Sequence, residues 1–390
     1  MAQAYIVSAV RTPIGKAPRG GLSATRPDDL ASLALQAALQ RAGVEAEAVE
    51  DVLLGCAMPE AEQGLNVARL AALRAGLPVE ASAATVNRFC ASGIEAIAIA
   101  CERISAGAEV ILAGGAESMS MVPIVGHHPS INPWLLEHRP ESYLSMGLTA
   151  ERLARVCHID REAADRFALA SHQKAIAAQD GGRFDAELVP VKSRVPDAAA
   201  PNYWREVEVS RDEGPRRDTS LAALAALKPV FHAQGVVTAG NASQTSDGAA
   251  AALIVSEAFL RARNLTPLAR LAGYATAGVD PALMGLGPVP AIPRALRRAG
   301  VKLEELAVIE LNEAFAAQAL AVIREAGLDP ERVNVNGGAI ALGHPLGCTG
   351  AKLLATLVNE LRRRRARWGL ITLCVGGGQG AAAVIENLAM

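Results

Sequence analysis

The sequence predicts an α/β fold built from two similar halves. Short runs of β-branched and other apolar residues alternate with longer stretches rich in Ala and Leu, which is the pattern of βαβ units. The same order of elements returns after Leu268, which indicates an internal duplication. At 390 residues the chain is also too long for one hydrophobic core, so two or three packed units are expected.

The first half shows this alternation before residue 119. Each predicted strand is a short apolar run, and each predicted helix is a longer stretch with apolar residues at helical spacing. In chain order the predicted elements are strand 4–10, helix 28–41, strand 49–54, helix 65–75, helix 91–105 and strand 110–113.

The second half repeats the pattern. The helix after Cys90 and the helix after Gly347 occupy equivalent places, so the loops that precede them are expected to meet at one shared face. The predicted elements are strands 268–275, 307–311, 332–335 and 369–375, and helices 289–299, 313–326 and 347–363.

The region between the halves breaks this rhythm with several prolines, a helix-like stretch over 149–179 and a charged stretch over 196–217. We interpret it as a loop domain inserted in the first half. The Ala-rich run 249–256 then returns as the last strand of that half and matches the run 381–386. The predicted division is 1–118 with 248–267, the loop domain 119–247, and the second half 268–390.

Composition favours small-molecule partners. Hydrophobic residues make up 51% of the chain and aromatic residues only 3%, which argues against an aromatic platform for nucleic-acid bases. The net charge of -2 gives no basic field for nucleic acid or for a membrane surface.

The cysteines and the N-terminal segment predict a cytoplasmic protein. The six cysteines form no C-x-x-C pair and lie in apolar or glycine-rich surroundings, unlike a secreted disulfide framework. The chain begins without a signal-peptide pattern, and no apolar run reaches about 18 residues, so no membrane insertion is expected.

Three segments carry candidate reactive side chains among small residues. His344 lies between glycine-rich bends, where its imidazole can approach a substrate closely. Cys90 stands just before helix 91–105, whose N-terminal amides are expected to lower the pKa of its thiol. Cys374 ends an apolar strand before a glycine run that leaves its thiol approachable. A buried, inert role is assigned to Cys56, Cys101 and Cys157, and a packing role to Cys348.

Two other interpretations fit less well. The spacing Gly376-x-Gly378-x-Gly380 after a strand is similar to a dinucleotide fingerprint, but the ten residues that follow are too few for the helix and second strand of that unit. The pair His127-His128 has no carboxylate or cysteine nearby at a recognisable ligand spacing, so no metal is predicted.

These three segments, with Asn312-Glu-Ala-Phe-Ala-Ala-Gln318 and Gly240-Asn-Ala-Ser-Gln-Thr-Ser-Asp-Gly248, resemble the thiolases, enzymes that cleave or condense 3-ketoacyl-CoA thioesters. The resemblance covers nearly all of the chain. It implies two homologous βαβαβαββ halves in a layered α-β-α-β-α core, with an inserted loop domain that shapes the acyl and CoA pocket.

The resemblance also implies catalytic roles. Cys90 would attack the 3-keto carbon and hold the acyl group as a thioester, and His344 would take the proton of Cys90. Cys374 would protonate the departing acetyl-CoA enolate and later deprotonate the incoming CoA thiol. The backbone N–H groups of Cys90 and Gly376 would form one oxyanion hole, and His344 would form a second with Asn312 acting through a bound water.

Five further positions match residues of the family that bind CoA. Ser243 would meet the pantetheine, and Arg216 would lie near the nucleotide. The apolar residues along the same tunnel would be Met146, Phe231 and Phe315. CoA and acyl-CoA are substrates here, and the resemblance implies no cofactor.

The segment Ser145-Met146-Gly147 replaces the His-Met-Gly of short acetoacetyl-CoA thiolases, and the chain is more similar to degradative 3-ketoacyl-CoA thiolases of fatty acid β-oxidation. Cleavage to acetyl-CoA and a shortened acyl-CoA is therefore predicted. The alternatives are a biosynthetic acetoacetyl-CoA thiolase, a decarboxylating ketoacyl synthase, which the Cys374 segment fits poorly, and an inactive CoA-binding scaffold. A homodimer or homotetramer is expected, and a complex with a β-oxidation hydratase/dehydrogenase subunit stays open.

Overall fold

Strands and helices alternate along residues 3–200 and 202–389, the part of the chain that the computed structural model describes; Met1, Ala2, Pro201 and Met390 lie outside it. The strands are β1 (Ala4–Arg11), β2 (Gly15–Lys16), β3 (Asp51–Gly55), β4 (Ser82–Val86), β5 (Val110–Ser118), β6 (Val191–Pro196), β7 (Trp204–Val209), β8 (Ser246–Ser256), β9 (Ala269–Gly278), β10 (Leu306–Leu311), β11 (Trp368–Val375) and β12 (Gln379–Asn387). The α-helices are α1 (Pro27–Ala42), α2 (Val67–Arg74), α3 (Ser92–Ser105), α4 (Pro133–His138), α5 (Met146–Val156), α6 (Arg161–Asp180), α7 (Leu221–Ala225), α8 (Glu257–Ala262), α9 (Pro288–Ala299), α10 (Ala316–Glu325), α11 (Ala339–Leu342) and α12 (Thr349–Arg364).

Nine strands form one continuous path, β10-β11-β12-β9-β1-β8-β5-β3-β4, and β2 pairs with β8. A single residue pair, Ile6 with Ala269, joins β1 to β9, so the path divides there into two sheets. The first sheet has the strand order β4-β3-β5-β8-β1. β3 pairs in parallel with β4 and β5, whereas β8 pairs antiparallel with β5 and β1. Parallel neighbours need a crossover connection, and α2 and α3 provide the two that this sheet requires.

The second sheet repeats this plan in the order β10-β11-β12-β9. β10 is parallel to β11, and β12 is antiparallel to both β11 and β9. Val333 makes a single parallel bridge to Ile309 on the outer side of β10. This place is equivalent to that of β4 beside β3 in the first sheet. The repeated order and direction confirm the predicted duplication.

Helices α3 and α12 form the middle layer between the two sheets. One hydrophobic cluster contains residues of both helices together with the inward side chains of both sheets, among them Ile97, Leu354, Ile111 and Ile371. The outer face of the first sheet packs on α1 and α2, and that of the second sheet on α9 and α10. The predicted order of layers, α-β-α-β-α, is therefore confirmed.

The two middle helices meet through a reciprocal pair of glycines. A Cβ at Gly93 of α3 would lie 2.9 Å from the backbone nitrogen of Ala351, and one at Gly350 of α12 would lie 2.4 Å from that of Ile94. Since neither distance leaves room for a side chain, glycine at both positions brings the helix backbones into contact. The contact relates the start of α3 to the start of α12.

The structure differs from the sequence prediction at two elements. The predicted strand 332–335 is reduced to the bridge at Val333. Asn334 has a left-handed φ of 46°, and its side-chain amide takes the place of ladder hydrogen bonds by pairing with the backbone N–H and carbonyl of Leu311 at 2.9 and 2.8 Å. The predicted single helix 149–179 is two helices, α5 and α6, since His158 has a φ of 51° and Asp160 caps the second helix.

Three strand features within the described residues had no counterpart in the prediction. The short strand β2 pairs antiparallel with β8. β4 completes the first sheet at its edge, and β6 and β7 form an antiparallel hairpin inside the segment 119–247. The boundaries of the three predicted domains stay a prediction. Among the described residues, no helix combines the length and apolarity needed to cross a bilayer.

Candidate active site

Cys90 lies in a tight turn at the start of α3. The 3₁₀ turn Phe89–Ala91 follows β4 and leads directly into the helix. Phe89 has a φ of 42°, a left-handed conformation that a bulky residue adopts only under constraint. Ser92 Oγ supplies the constraint, because it accepts from the backbone N–H of Arg88 at 2.8 Å and donates to the carbonyl of Phe89 at 2.6 Å.

The Cys90 thiol faces backbone N–H groups of both halves. The N–H groups of Gly376 and of Cys90 itself favour its thiolate, but burial has the larger effect and raises the pKa of Cys90 to about 11. The backbone amides at the start of the helix lower this pKa, as expected, but the loss of hydration outweighs them and the net shift is upward. At neutral pH Cys90 is a thiol and needs a base before it can attack.

Cys374 is the second thiol of the site. It lies near the end of β11, opposite Gly380 of β12, and is 1% exposed. Burial raises its pKa well above the ordinary value, and a negative charge on Cys90 raises it further. The two thiols therefore lie near enough for ionisation of Cys90 to oppose that of Cys374.

His344 is held as a neutral imidazole. Its Nδ1 lies 2.6 Å from Thr349 Oγ1, which donates to the carbonyl of Pro345 at 2.9 Å. Because the Thr349 hydrogen is committed to that carbonyl, Thr349 accepts from Nδ1–H and leaves Nε2 unprotonated. Burial, with a smaller effect from the charge of Lys352, lowers the pKa of His344 to about 3. The imidazole is therefore in the form that accepts a proton.

Thr349→Val is expected to lower kcat about tenfold and to leave KM nearly unchanged. The variant keeps the shape of the side chain but removes the acceptor of a buried N–H, which costs about 1–3 kcal/mol and frees the other tautomer. Steady-state kinetics on a 3-ketoacyl-CoA measures the effect. Thr356→Val is the matched control, because Thr356 lies on the same helix and donates to Glu187 instead. Equal kinetics in the two variants would contradict the tautomer assignment.

Asn312 follows β10 and reaches the same imidazole. Its Nδ2 lies 3.3 Å from His344 Nε2, and both residues are buried. Its Oδ1 has no hydrogen-bond partner in the described part of the chain. A buried amide oxygen without a partner is costly, so this atom is suited to a donor from water or substrate.

The loop that carries His344 lies beside the turn that carries Cys90. The turn Leu346–Cys348 packs against Phe89–Ala91, and a Cβ added at Gly93 would lie 2.8 Å from the carbonyl oxygen of Gly347. The structure therefore brings Cys90, Cys374, Gly376, Asn312 and the His344 loop to one end of the middle layer.

Four of the five predicted CoA-binding residues surround this centre. Met146 and Phe315 belong to an apolar cluster with Cys374, and the ring of Phe231 meets that of Phe315 edge-on at 6.5 Å between centroids. The backbone N–H of Ser243 donates to the carbonyl of Ala314, at 2.9 Å, just before Phe315.

Arg216 stands apart from that cluster. Its side chain is exposed, and its backbone N–H donates to His172 Nδ1 at 3.1 Å. The nearby Gly214 packs against Gln244, the neighbour of Ser243, so Arg216 lies on the outer side of the Ser243 segment. An exposed cation there suits a phosphate better than an apolar chain.

The remaining cysteines occupy other surroundings. Cys348 is fully buried in the middle layer, as its predicted packing role requires. Of the three cysteines predicted to be buried, Cys56 is, whereas Cys101 and Cys157 are only partly buried. Loss of hydration raises the pKa of all three. No group of three or more His, Cys, Asp or Glu side chains within residues 3–200 and 202–389 is arranged to hold a metal ion.

Sequence patterns alone missed three residues that support the site. Thr349 holds the His344 ring. Lys352, 1% exposed, donates from Nζ to the carbonyl of Gly343 at 3.0 Å. Glu117 is fully buried and accepts from the backbone N–H of Gly347 at 2.7 Å. The available signal was a charged residue inside an apolar element, since such a residue is almost never buried without a partner.

Comparison with known proteins supports one family over the whole chain. The family model for the thiolase N-terminal domain matches residues 4–258, and that for the thiolase C-terminal domain matches residues 265–387. The chain is 50% identical over 389 residues to a 3-ketoacyl-CoA thiolase of Bacillus subtilis (strain 168), covering 99% of this chain and 100% of that protein.

Other relatives carry a different name. An acetyl-CoA acetyltransferase of Rhizobium meliloti (strain 1021) is 46% identical over 397 residues, covering 98% of each chain. The crystal structure of the Bacillus anthracis acetyl-CoA acetyltransferase is similar with a TM-score of 0.90 and 43% identity, covering 100% of this chain and 99% of that one. With two adjoining family models and full-length relatives in agreement, the chain belongs to the thiolase family of acyltransferases.

Proposed function

We propose that the protein is a degradative 3-ketoacyl-CoA thiolase that cleaves its substrate with CoA through an acyl thioester on Cys90. The observation that carries the proposal is that the partly buried thiol of Cys90 at the start of α3, the buried thiol of Cys374 and a neutral histidine share one site. A thiol nucleophile, a base to activate it and a second thiol to handle the carbon acid are the three groups that this cleavage needs.

In the first half-reaction His344 Nε2 accepts the Cys90 proton, and Cys90 Sγ attacks the 3-keto carbon. The oxyanion receives hydrogen bonds from the imidazolium and from a water held by Asn312. The C2–C3 bond then breaks, its electron pair goes to C2, and Cys374 protonates that carbon to release acetyl-CoA. The acyl group remains on Cys90 as a thioester.

In the second half-reaction the Cys374 thiolate takes the proton of an incoming CoA thiol. The CoA sulfur attacks the thioester carbon, and the N–H groups of Cys90 and Gly376 stabilise the oxyanion. Collapse breaks the bond to Cys90, which regains its proton from His344 as the shortened acyl-CoA leaves. The elevated pKa of Cys374 suits this sequence, because the resting site must start with its acid protonated.

The preference for chains longer than acetoacetyl-CoA rests on Ser145. In this chain its hydroxyl caps α5 by accepting from the backbone N–H of Leu148 at 3.4 Å, where short-chain thiolases place a histidine. The partners that we propose are acyl-CoA and CoA, with Ser243, Met146, Phe231, Phe315 and Arg216 along the CoA path. We further propose a cytoplasmic homo-oligomer that needs no resident cofactor.

The test is CoA-dependent cleavage of 3-ketoacyl-CoA substrates from acetoacetyl-CoA to 3-ketohexadecanoyl-CoA. We expect the highest kcat/KM on medium or long chains and loss of turnover in both Cys90→Ala and Cys374→Ala. Turnover of acetoacetyl-CoA alone would instead support the biosynthetic alternative, which the acetyl-CoA acetyltransferase relatives keep open. No turnover at any length would favour a CoA-binding scaffold.

A further inference from the structure

The duplication gives Cys374 a counterpart in the first sheet. Cys374 lies opposite Gly380 in the pairing of β11 with β12, and Glu117 lies opposite Gly248 in the pairing of β5 with β8. Gly248 and Gly380 each open the Ala-rich part of their strand, so the two registers coincide. Glu117 therefore occupies the position that Cys374 occupies in the second sheet.

The middle layer has the same correspondence. Gly93 and Gly350 meet reciprocally at the starts of α3 and α12. Counting back three residues from each glycine makes Cys90 the counterpart of Gly347. The candidate active site joins Cys90 to the end of β11, and the equivalent place joins Gly347 to the end of β5, where Glu117 lies.

Glu117 is fully buried and accepts four N–H donors. Oε2 accepts from the backbone of Ala57 at 2.8 Å and of Gly347 at 2.7 Å. Oε1 accepts from the backbone of Met58 at 3.2 Å and from Gln63 Nε2 at 2.7 Å. Because both oxygens are acceptors, these contacts match a carboxylate and no isosteric neutral group.

We propose that Glu117 is a positioning residue for the thiolase reaction: its carboxylate closes the second helix N-terminus of the middle layer and, through Gly347, holds the segment that carries His344. A helix N-terminus attracts anions. At the start of α3 that anion is the Cys90 thiolate formed during catalysis. At the start of α12 it is the permanent carboxylate of Glu117. This inference rests on the proposed function, because positioning matters only if His344 acts on Cys90.

The backbone N–H of His344 donates to Ser246 Oγ of β8 at 3.2 Å. Two further contacts hold the segment on either side of His344. Lys352 holds the carbonyl of Gly343 on one side of His344, and Glu117 holds the N–H of Gly347 on the other. A Cβ at Gly347 would lie 2.8 Å from Glu117 Oε2 and 2.6 Å from the Cα of Cys56, so the chain lies directly against both. Loss of the carboxylate should loosen the segment at Gly347, while the contact of His344 with Ser246 remains.

The test is Glu117→Gln in the full chain. The glutamine presents an NH₂ group to donors that need acceptors, so at least one of the four contacts is lost. We expect kcat to fall about 10- to 100-fold with KM within about twofold, since a small misplacement of a catalytic group has effects of this size. Hydrogen–deuterium exchange of residues 343–350 is expected to accelerate about tenfold or more, and this readout does not depend on activity.

Asp51→Asn is the matched control. Asp51 is also a buried carboxylate of the first sheet, and it pairs with Arg103. It lies at the start of β3, whereas the site adjoins the end of β3 at Gly55. We expect its kcat and its exchange over 343–350 to match the wild type. If Glu117→Gln does not fold, Gln63→Met is the second variant. It leaves the carboxylate but removes the side-chain donor to Oε1, together with the contacts of Gln63 to Met58 and Ser118, and is expected to show the same changes in weaker form.

The outcomes separate the two proposals. Wild-type kcat and unchanged exchange over 343–350 in a folded Glu117→Gln protein would overturn the role of Glu117. Absence of turnover in the wild type would overturn the proposed function instead, and the exchange experiment would still show whether Glu117 holds the segment. Equal losses of kcat in Glu117→Gln and Asp51→Asn would mean that Glu117 contributes only to the general stability of the protein, and would overturn the inference.

Discussion

Cys90→Ala is expected to lower kcat for thiolysis roughly 10⁴-fold or more, because no other group can accept the acyl chain at the start of α3. The wild type incubated with a 3-ketoacyl-CoA and no CoA should accumulate an acyl adduct, and mass spectrometry of the digested protein should locate it on Cys90. The variant should carry none. Its substrate affinity should change little, since alanine removes only the sulfur.

Cys101→Ala is the control for this experiment. Cys101 lies on the same helix, within the middle layer, and its carbonyl accepts from Ser105 Oγ at 2.9 Å. We expect wild-type turnover and a normal adduct in this variant. An adduct on Cys348 or Cys374, or turnover that survives in Cys90→Ala, would show that the nucleophile has been assigned to the wrong thiol.

Alkylation of Cys90 by iodoacetamide is expected to accelerate about a hundredfold between about pH 7 and pH 9 without reaching a plateau. Burial raises the pKa of Cys90 to about 11 and lowers that of His344 to about 3, so the resting pair is thiol and imidazole. With the pKa of the thiol above this range, the thiolate fraction rises tenfold for each unit of pH.

The alternative is a resting thiolate–imidazolium pair, which would already be fully ionised at neutral pH and would give a flat profile. The rates are measured on Cys374→Ala, which lacks the second thiol of the site. Cys90→Ala gives the background rate of alkylation at the other cysteines. A plateau near neutral pH in the first variant would mean that the neutral pair is wrong and that the helix N-terminus outweighs burial after all.

The reactive residues were accessible from sequence because small residues flank them. Cys90, His344 and Cys374 each lie within two residues of a glycine or alanine, and few functions place reactive groups in such surroundings. The duplicated order of strands was also predictable from the sequence, since the apolar runs of the two halves have similar lengths and spacing. Both predictions depend only on residues that are close together in the chain.

The supporting residues were hidden because their partners are distant in the chain. Glu117 contacts Gly347 across 230 positions, and no spacing rule connects them. Asn334 ended a predicted strand by binding the backbone of Leu311, although its neighbours Val333 and Val335 favour a strand. In both cases a tertiary hydrogen bond decided the local structure, and that bond exists only once the sheets have packed.

The reciprocal contact of Gly93 and Gly350 also bears on how the protein folds. Each middle helix is covered on one side by the sheet of its own half and on the other by elements of the other half, so a separated half would leave a long apolar face in water. The repeats thus differ from independent modules joined by a linker: the two copies have become halves of a single cooperative folding unit, in which neither is complete without the other.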